Sequence, residues 1–467
     1  MDRRLPTYFE RLANGRVFVS SVSGNWRVLE DKEFEALSGD IKDLDESQRN
    51  KYYSLGIIEP GNTRAIERLE GIRIRDSYKC YEDSFSYFIV VGTLRCNQTC
   101  EYCQVSRRPE SSHEKYDLNT EDASAISSLI SSSPRQSIKV EFQGGESTLN
   151  ISFISSLITK LKTSDKEFSF VITTNLVSLT DEILDLCKKH SIDLSISIDG
   201  PEDVHTANRT HPNKEYFKDI IKNIDLARKQ LGKDRVNAVC TLSKSSLSQV
   251  TKIPLFYKKM NFHYLSLRHI TEIGFARNHD GYTFDEWFAA FKEGLDTIIK
   301  INQSGYFLVE GISELYLQKL FGSRRNVFVD MHNPIAMGAN AVVINYDGEV
   351  YLSDESRMLA EEGDNSLSFG LNIRNQKLSC QDILSSKTAV EVVRDSQIIS
   401  SPICASCAFQ SHCGNDLVHN YNISGDFIGY KPFSFICQRT KSVIEHILEL
   451  YEDPAVAKVF NSWIPRN

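Results

Sequence analysis

Between about residues 86 and 275 the chain alternates short apolar runs with longer amphipathic segments. The runs "YFIVVGTL", "IKVEF", "FSFVITTN", "DLSISID", "RVNAVCTL" and "YLSLRHI" have the length and β-branched content of strands. Between them, "TEDASAISSLISS", "SFISSLITKLK", "TDEILDLCKKH" and stretches near 214–231 and 246–259 carry apolar residues at helical spacing. Thr120 is the expected N-cap of the first helix. Six strand–helix alternations argue for an α/β fold with a parallel sheet and right-handed crossovers. A barrel or partial barrel closes such a sheet and gathers reactive groups at the C-terminal strand ends.

The flanks read differently. In residues 1–80, "RVFVSSVSGNWRVL" predicts two strands around a Ser-Gly-Asn turn, followed by helices in "EDKEFEALSGD" and "RNKYYSL". After the barrel region, at 81–305, a helix is expected near 283–303. A hairpin with an Asp-Gly turn at 347–348 is expected in "AVVINYDGEVYLSD", within a last region at 306–467.

A net charge of −8 asks for neither nucleic acid nor an anionic membrane. The opening residues lack an apolar signal core, and no run reaches the ~20 apolar residues of a spanning helix. Of eleven cysteines, three cluster at 96–103 and three at 404–413, rather than all spreading as a disulfide framework would. A reducing cytoplasm and metal chemistry are expected.

Cys96, Cys100 and Cys103 follow the first strand of the alternating region. Three thiolates leave one iron of a [4Fe–4S] cube open; a zinc site completed by Cys80 or His113 is the alternative. "EFQGGES" puts Gly144, Gly145 and Glu146 at the second strand end, with backbone free to approach a ligand and a carboxylate to accept from an ammonium group. Asn175 ends the third strand; Ser197, Asp199 and Arg209 follow the fourth. Singly, each reads better as a strand-end cap than as a ligand. Together they supply groups for an ammonium, ribose hydroxyls and a carboxylate, the inventory of S-adenosylmethionine.

The CxxxCxxC loop, the GGE turn and the six alternations resemble the radical SAM superfamily over about 86–275. The resemblance implies a partial (β/α)6 barrel. It implies a [4Fe–4S] cluster on Cys96, Cys100 and Cys103 whose open iron binds S-adenosylmethionine, and Tyr102 near the adenine. It also implies an electron donor such as flavodoxin or ferredoxin.

"CASCAFQSHC" with the later Cys437 resembles the SPASM extension of peptide-modifying members, which normally holds two auxiliary clusters. Cys404, Cys407, Cys413 and Cys437 match the ligands of the second. The ligand positions of the first fall on about Ile335, on Ser353 and on Asp416. Two clusters in all are therefore expected, with zinc the alternative for the late group. Asp354 matches the proton-accepting aspartate of sulfatase-maturing relatives; it reads equally as a hairpin-end cap. Cys187 and Cys240 read as core, and Cys80 and Cys380 lack a ligand spacing.

The layout of residues 1–80 resembles the winged-helix element that binds leader peptides, or else a small domain bracing the barrel. "CQVSRRP", "SIDGPEDVH", "NYDGEVYLSDESRML" and "VHNY" make the chain similar to His-Xaa-Ser system maturases and to darobactin- and triceptide-type crosslinking enzymes. That implies a cytoplasmic enzyme joining side chains, tryptophan among them, by C–C or ether bonds in a ribosomal precursor peptide of leader plus core. A formylglycine-forming sulfatase maturase and a non-catalytic iron–sulfur sensor are the rival readings.

Overall fold

The structure, a computed structural model, describes residues 2–81, 84–278, 281–322, 338–395, 397–414, 416–432 and 434–465. The chain divides into two compact units, Met1–Glu82 with Leu315–Ala336 and Val393–Asn467, and Asp83–Glu314 with Met337–Val392. The first 80 residues thus share a unit with the late cysteines.

In the first unit, β1 (Thr7–Arg11), β2 (Val17–Ser21) and β3 (Trp26–Leu29) form an antiparallel sheet with β2 in the centre. Every residue of β2 is buried, because both its faces are covered. On one face Val17 and Val19 pack with Leu29, Leu37 and Tyr52. Phe18 stacks on Phe409 at 4.6 Å, and Ser20 Oγ donates to Ala408 O at 2.7 Å. The N-terminal sheet thereby supports the segment that carries Cys407 and Cys413.

The second unit holds β4 (Tyr87–Thr93), β5 (Ser137–Gly144), β6 (Glu167–Thr174), β7 (Asp193–Ser197) and β8 (Val236–Val239), parallel and adjacent in chain order. Helices cross between them as the periodicity predicts. Helix Ile151–Leu161 buries Phe153, Ile154, Leu157, Ile158 and Leu161, one apolar stripe. Each such side chain contributes about 1.5–3 kcal/mol on burial. The N-cap position of the first crossover helix, Asp122–Ser131, is Glu121 rather than Thr120, and the side chain that serves its first N–H groups is that of Asn119. Its Oδ1 accepts from the backbone N–H of Glu121 (2.8 Å) and Asp122 (3.0 Å). The segment near 246–259 divides into Lys244–Leu247 and Lys252–Lys259. The longer piece begins two residues before Pro254, which has no N–H to donate deeper in a helix.

The sixth strand departs most from expectation. Tyr264–Leu265 (β9) pairs in parallel with Val309–Glu310 (β10) as a separate two-stranded sheet. An isolated Thr241–Arg268 bridge joins the segments that follow β8 and β9. The sheet is extended on its other edge. There Ala341–Ile344 (β11) pairs in parallel with β4, followed by antiparallel Glu349–Tyr351 (β12) and Ser368–Asn372 (β13). The expected hairpin is β11–β12, turning at Gly348 with φ +85. The fold is an open, partial barrel.

Among the described residues no helix is long and apolar enough to cross a membrane.

Candidate active site

The strand ends of β4–β7 surround a cavity of about 180 Å³. Its wall contains Cys96, Cys100, Cys103, Tyr102, Gly144, Gly145, Asn175, Ser197 and Arg209. Nine of the residues expected at the first site therefore meet at one place. Glu146 and Asp199 lie behind the wall, 2% and 0% exposed.

Asp199 is the hub of that second layer. Its carboxylate accepts from Tyr102 Oη at 2.6 Å and from Arg209 Nε and Nη2 at 3.0 and 3.2 Å. The Arg209 guanidinium also sits over the Tyr102 ring, 5.3 Å from its centroid, with Nη1 3.9 Å from Cys100 Sγ. Burial pushes the Asp199 carboxyl up, but the Arg209 charge, His205 and the hydrogen bonds from Arg209 and Tyr102 together outweigh it and hold the group below its ordinary range. The buried charge is compensated, and the cysteine loop is tied to β7.

Glu146 is likewise saturated. It accepts from Thr148 N and Oγ1, from Thr174 Oγ1 at 2.7 Å and from Asn175 N at 2.8 Å. This clamps the ends of β5 and β6 together. The glycines before it serve an approach of backbone to backbone: Gly145 N donates to Thr93 O and Glu146 N to Arg95 O, at 2.9 and 2.8 Å. A Cβ on Gly145 would overlap the carbonyl oxygens of Arg95 and Leu94. The GGE turn locks the root of the cysteine loop to β5 while its glycines still face the cavity. Asn175 Nδ2 donates to Asn97 Oδ1 at 2.7 Å, a further tie to that loop.

Gln98, Gln143, Thr173 and Arg107 are among the wall residues that escaped the sequence reading. Gln143 and Thr173 share the inward face of β5 and β6, which the two-residue strand period would have flagged. Gln98 Nε2 is buried with no partner, a donor awaiting an acceptor. Burial pushes the Cys96 thiol up, and the Cys100 thiol to about 11. They become thiolates when a metal charge compensates them. Among the described residues no three His, Cys, Asp or Glu side chains converge on one point as a mononuclear site needs. A cube spreads its thiolates over separate irons. Three thiols of one loop, an unpartnered donor and a polar cavity fit such a cube with a ligand on it.

A second cavity lies in the first unit, walled by Cys404, Cys407, Cys413 and Cys437 together with Lys431, Phe409 and Thr440. Cys437 lies in the first turn of helix Phe435–Leu450, where its N–H donates to the capping Ser434 Oγ at 3.2 Å and the helix end favours an anion. Burial pushes the Cys407 thiol up to about 12. The four thiols fit a second cluster.

The positions expected to lack cysteine hold helix caps. Ser353 caps helix Asp354–Glu361 in a capping box with Ser356, and Asp416 caps helix Leu417–Ser424, accepting from His419 N at 2.9 Å. Ile335 lies outside the described residues. Asp354 accepts from Arg357 Nε at 2.9 Å. Arg357, fully buried, reaches Val105 O in the first cavity's wall at 3.5 Å, and its Nη2 has no partner.

Residues 90–246 match the model of the Radical SAM superfamily. The chain is 26% identical over 234 residues to the cysteine-type anaerobic sulfatase-maturating enzyme of Clostridium novyi, covering 45% of this chain and 62% of that protein, which is less than two thirds of its length. Native anSMEcpe with bound AdoMet and Cp18Cys peptide superposes with a TM-score of 0.62 at 16% identity, covering 80% of this chain and 99% of that one. Streptococcus suis SuiB bound to its precursor peptide SuiA superposes with a TM-score of 0.54 at 15% identity, over 94% and 100%.

Proposed function

Since residues 90–246 form a radical SAM domain, we propose that this protein is a peptide maturase that crosslinks side chains in a ribosomally made precursor. The observation that carries the reading is the convergence of the Cys96–Cys103 loop, the GGE turn and Arg209 on one cavity at the strand ends. The peptide-bound relatives of the same fold support a peptide substrate.

Cys96, Cys100 and Cys103 hold the cluster that, when bound, supplies the electron for splitting S-adenosylmethionine into methionine and a 5′-deoxyadenosyl radical. Around it the chain's own residues bind and orient. Gly144 and Gly145 offer backbone, and Gln98 Nε2 offers a buried donor. Arg209, two of whose nitrogens are held by Asp199, offers Nη1. Ser197 and Asn175, in the same wall, would bind the ribose hydroxyls. Each crosslink removes two hydrogens from the peptide: an atom from a β-carbon, which converts the 5′-deoxyadenosyl radical to 5′-deoxyadenosine, and a proton with an electron, for which an iron–sulfur cluster held by Cys404, Cys407, Cys413 and Cys437 would be the acceptor. Asp354 takes that proton, and Arg357 holds its carboxylate in place.

The test is anaerobic incubation with S-adenosylmethionine, a reductant and the precursor peptide encoded beside this gene. A loss of two hydrogens per bond is expected by mass spectrometry; 5′-deoxyadenosine with an unchanged peptide overturns the substrate assignment. The Clostridium novyi relative and Asp354 favour a second reading, oxidation of a sulfatase cysteine or serine to formylglycine. A sulfatase peptide in the same assay separates the two.

A further inference from the structure

Lys431 stands in the wall of the second cavity beside Cys404, Cys407, Cys413 and Cys437. It is 6% exposed, and its Nζ is buried with no hydrogen-bond partner. An unpaired buried ammonium is costly, so a site that keeps one has an anion for it to face. The described carboxylates that act on it are Asp426 and Asp395. Asp395 is moreover engaged by Arg394 at 2.6 Å. Lys441, in the same wall, differs in being paired with Glu10 at 2.8 Å.

We propose that Lys431 is a positioning residue for the auxiliary cluster: its ammonium faces the cluster's sulfurs and raises the reduction potential. This rests on the reading that the four late cysteines hold a [4Fe–4S] cube. Four thiolates give such a cube a net negative charge that grows by one on reduction. A neighbouring cation therefore stabilises the reduced state more than the oxidised one. Net charge and hydrogen bonds to sulfur are the levers that set such potentials. A raised potential suits a centre that accepts an electron, which the loss of two hydrogens from a peptide requires somewhere.

The full chain, with Cys96, Cys100 and Cys103 all changed to Ala so that only the late site is loaded, is reconstituted with iron and sulfide. It is titrated by EPR against potential, alone and with Lys431→Gln or Lys431→Arg. Lys431→Gln is expected to shift the redox equilibrium about tenfold toward the oxidised cluster, about 59 mV for one electron. Lys431→Arg is expected to stay at the parent potential. An unchanged potential in Lys431→Gln overturns the proposal. Should that variant hold no cluster, Lys431→Arg decides: a parent-like potential upholds the role of the charge, and its displacement overturns it. A parent protein without iron at the late cysteines fails the reading beneath, and this inference with it.

Discussion

Tyr102 donates a 2.6 Å hydrogen bond to Asp199, and the same carboxylate pairs with Arg209 through two nitrogens. One buried anion thus fixes an aromatic of the cysteine loop and a cation of the cavity wall. Asp199→Asn leaves the Arg209 charge without its counter-ion, a loss of about 3–5 kcal/mol when a buried pair is broken. Tyr102→Phe removes one hydrogen bond to a charged group, about 1.5–3 kcal/mol. Chemical denaturation of the apo chain reads both. Equal costs for the two variants would contradict the hub.

Gly145→Ala is expected to abolish S-adenosylmethionine cleavage while the chain stays folded. The added Cβ overlaps the carbonyls of Leu94 and Arg95, so the root of the cysteine loop must move. Gly71→Ala, whose Cβ would meet nothing within 4 Å, serves as the neutral control. The checks are 5′-deoxyadenosine formation and circular dichroism. Wild-type turnover in Gly145→Ala would show the GGE turn to be dispensable.

The sequence revealed the first site well because a parallel sheet sends consecutive strand ends to one rim. Cys96, Gly144, Asn175 and Ser197 could be collected there from chain order alone. What stayed hidden depended on three dimensions. Glu146 and Asp199 look like ligands by position, yet backbone and side-chain donors from neighbouring segments consume their oxygens. The pairing of β9 with β10 joins segments 45 residues apart by register (Tyr264 with Val309), a partner that no local pattern names. The packing of Phe18 on Phe409 joins residues almost 400 positions apart, so nothing in either segment announces that the N-terminal sheet supports the late cysteines.

His205 gives the fold a pH dependence. It is fully buried, and its Nδ1 accepts from Asp199 N at 3.3 Å. Burial lowers its pKa from 6.5 to about 4. Between those values the unfolded chain binds a proton that the folded chain does not, so stability is complete above pH 6.5 and falls as the pH drops toward 4. The loss approaches about 3 kcal/mol at 1.36 kcal/mol per unit. His205→Gln should flatten this slope in denaturation midpoints measured from pH 7 to 4.5. An undiminished slope would place the titration elsewhere.

Ser353, not Asp354, caps the helix, so the roles left to Asp354 are base and partner of Arg357, and they differ in which product a substitution removes. As a base, Asp354→Ala lowers peptide modification by about 10²–10⁴. 5′-Deoxyadenosine is still formed, because the first cavity's wall does not include Asp354. As no more than the partner of Arg357, it would lower the melting temperature and both products together. The ratio of 5′-deoxyadenosine to crosslinked peptide decides, and an unchanged ratio removes Asp354 from the chemistry.

The two thiol groups belong to separate units of the fold, so their metal contents are expected to be independent. Two cubes give about eight irons per chain. Changing Cys96, Cys100 and Cys103 to Ala should leave about four irons and no cleavage of S-adenosylmethionine. Changing Cys407 and Cys413 to Ala should also leave about four, now with 5′-deoxyadenosine formation retained. The second substitution also touches packing: Cys407 and Cys413 flank Phe409, on which Phe18 stacks. A lowered melting temperature is therefore expected there and not in the first variant's N-terminal unit, as limited proteolysis would show. Iron assays together with single-turnover assays test this. Loss of all iron from either variant would mean that the sites are loaded as one.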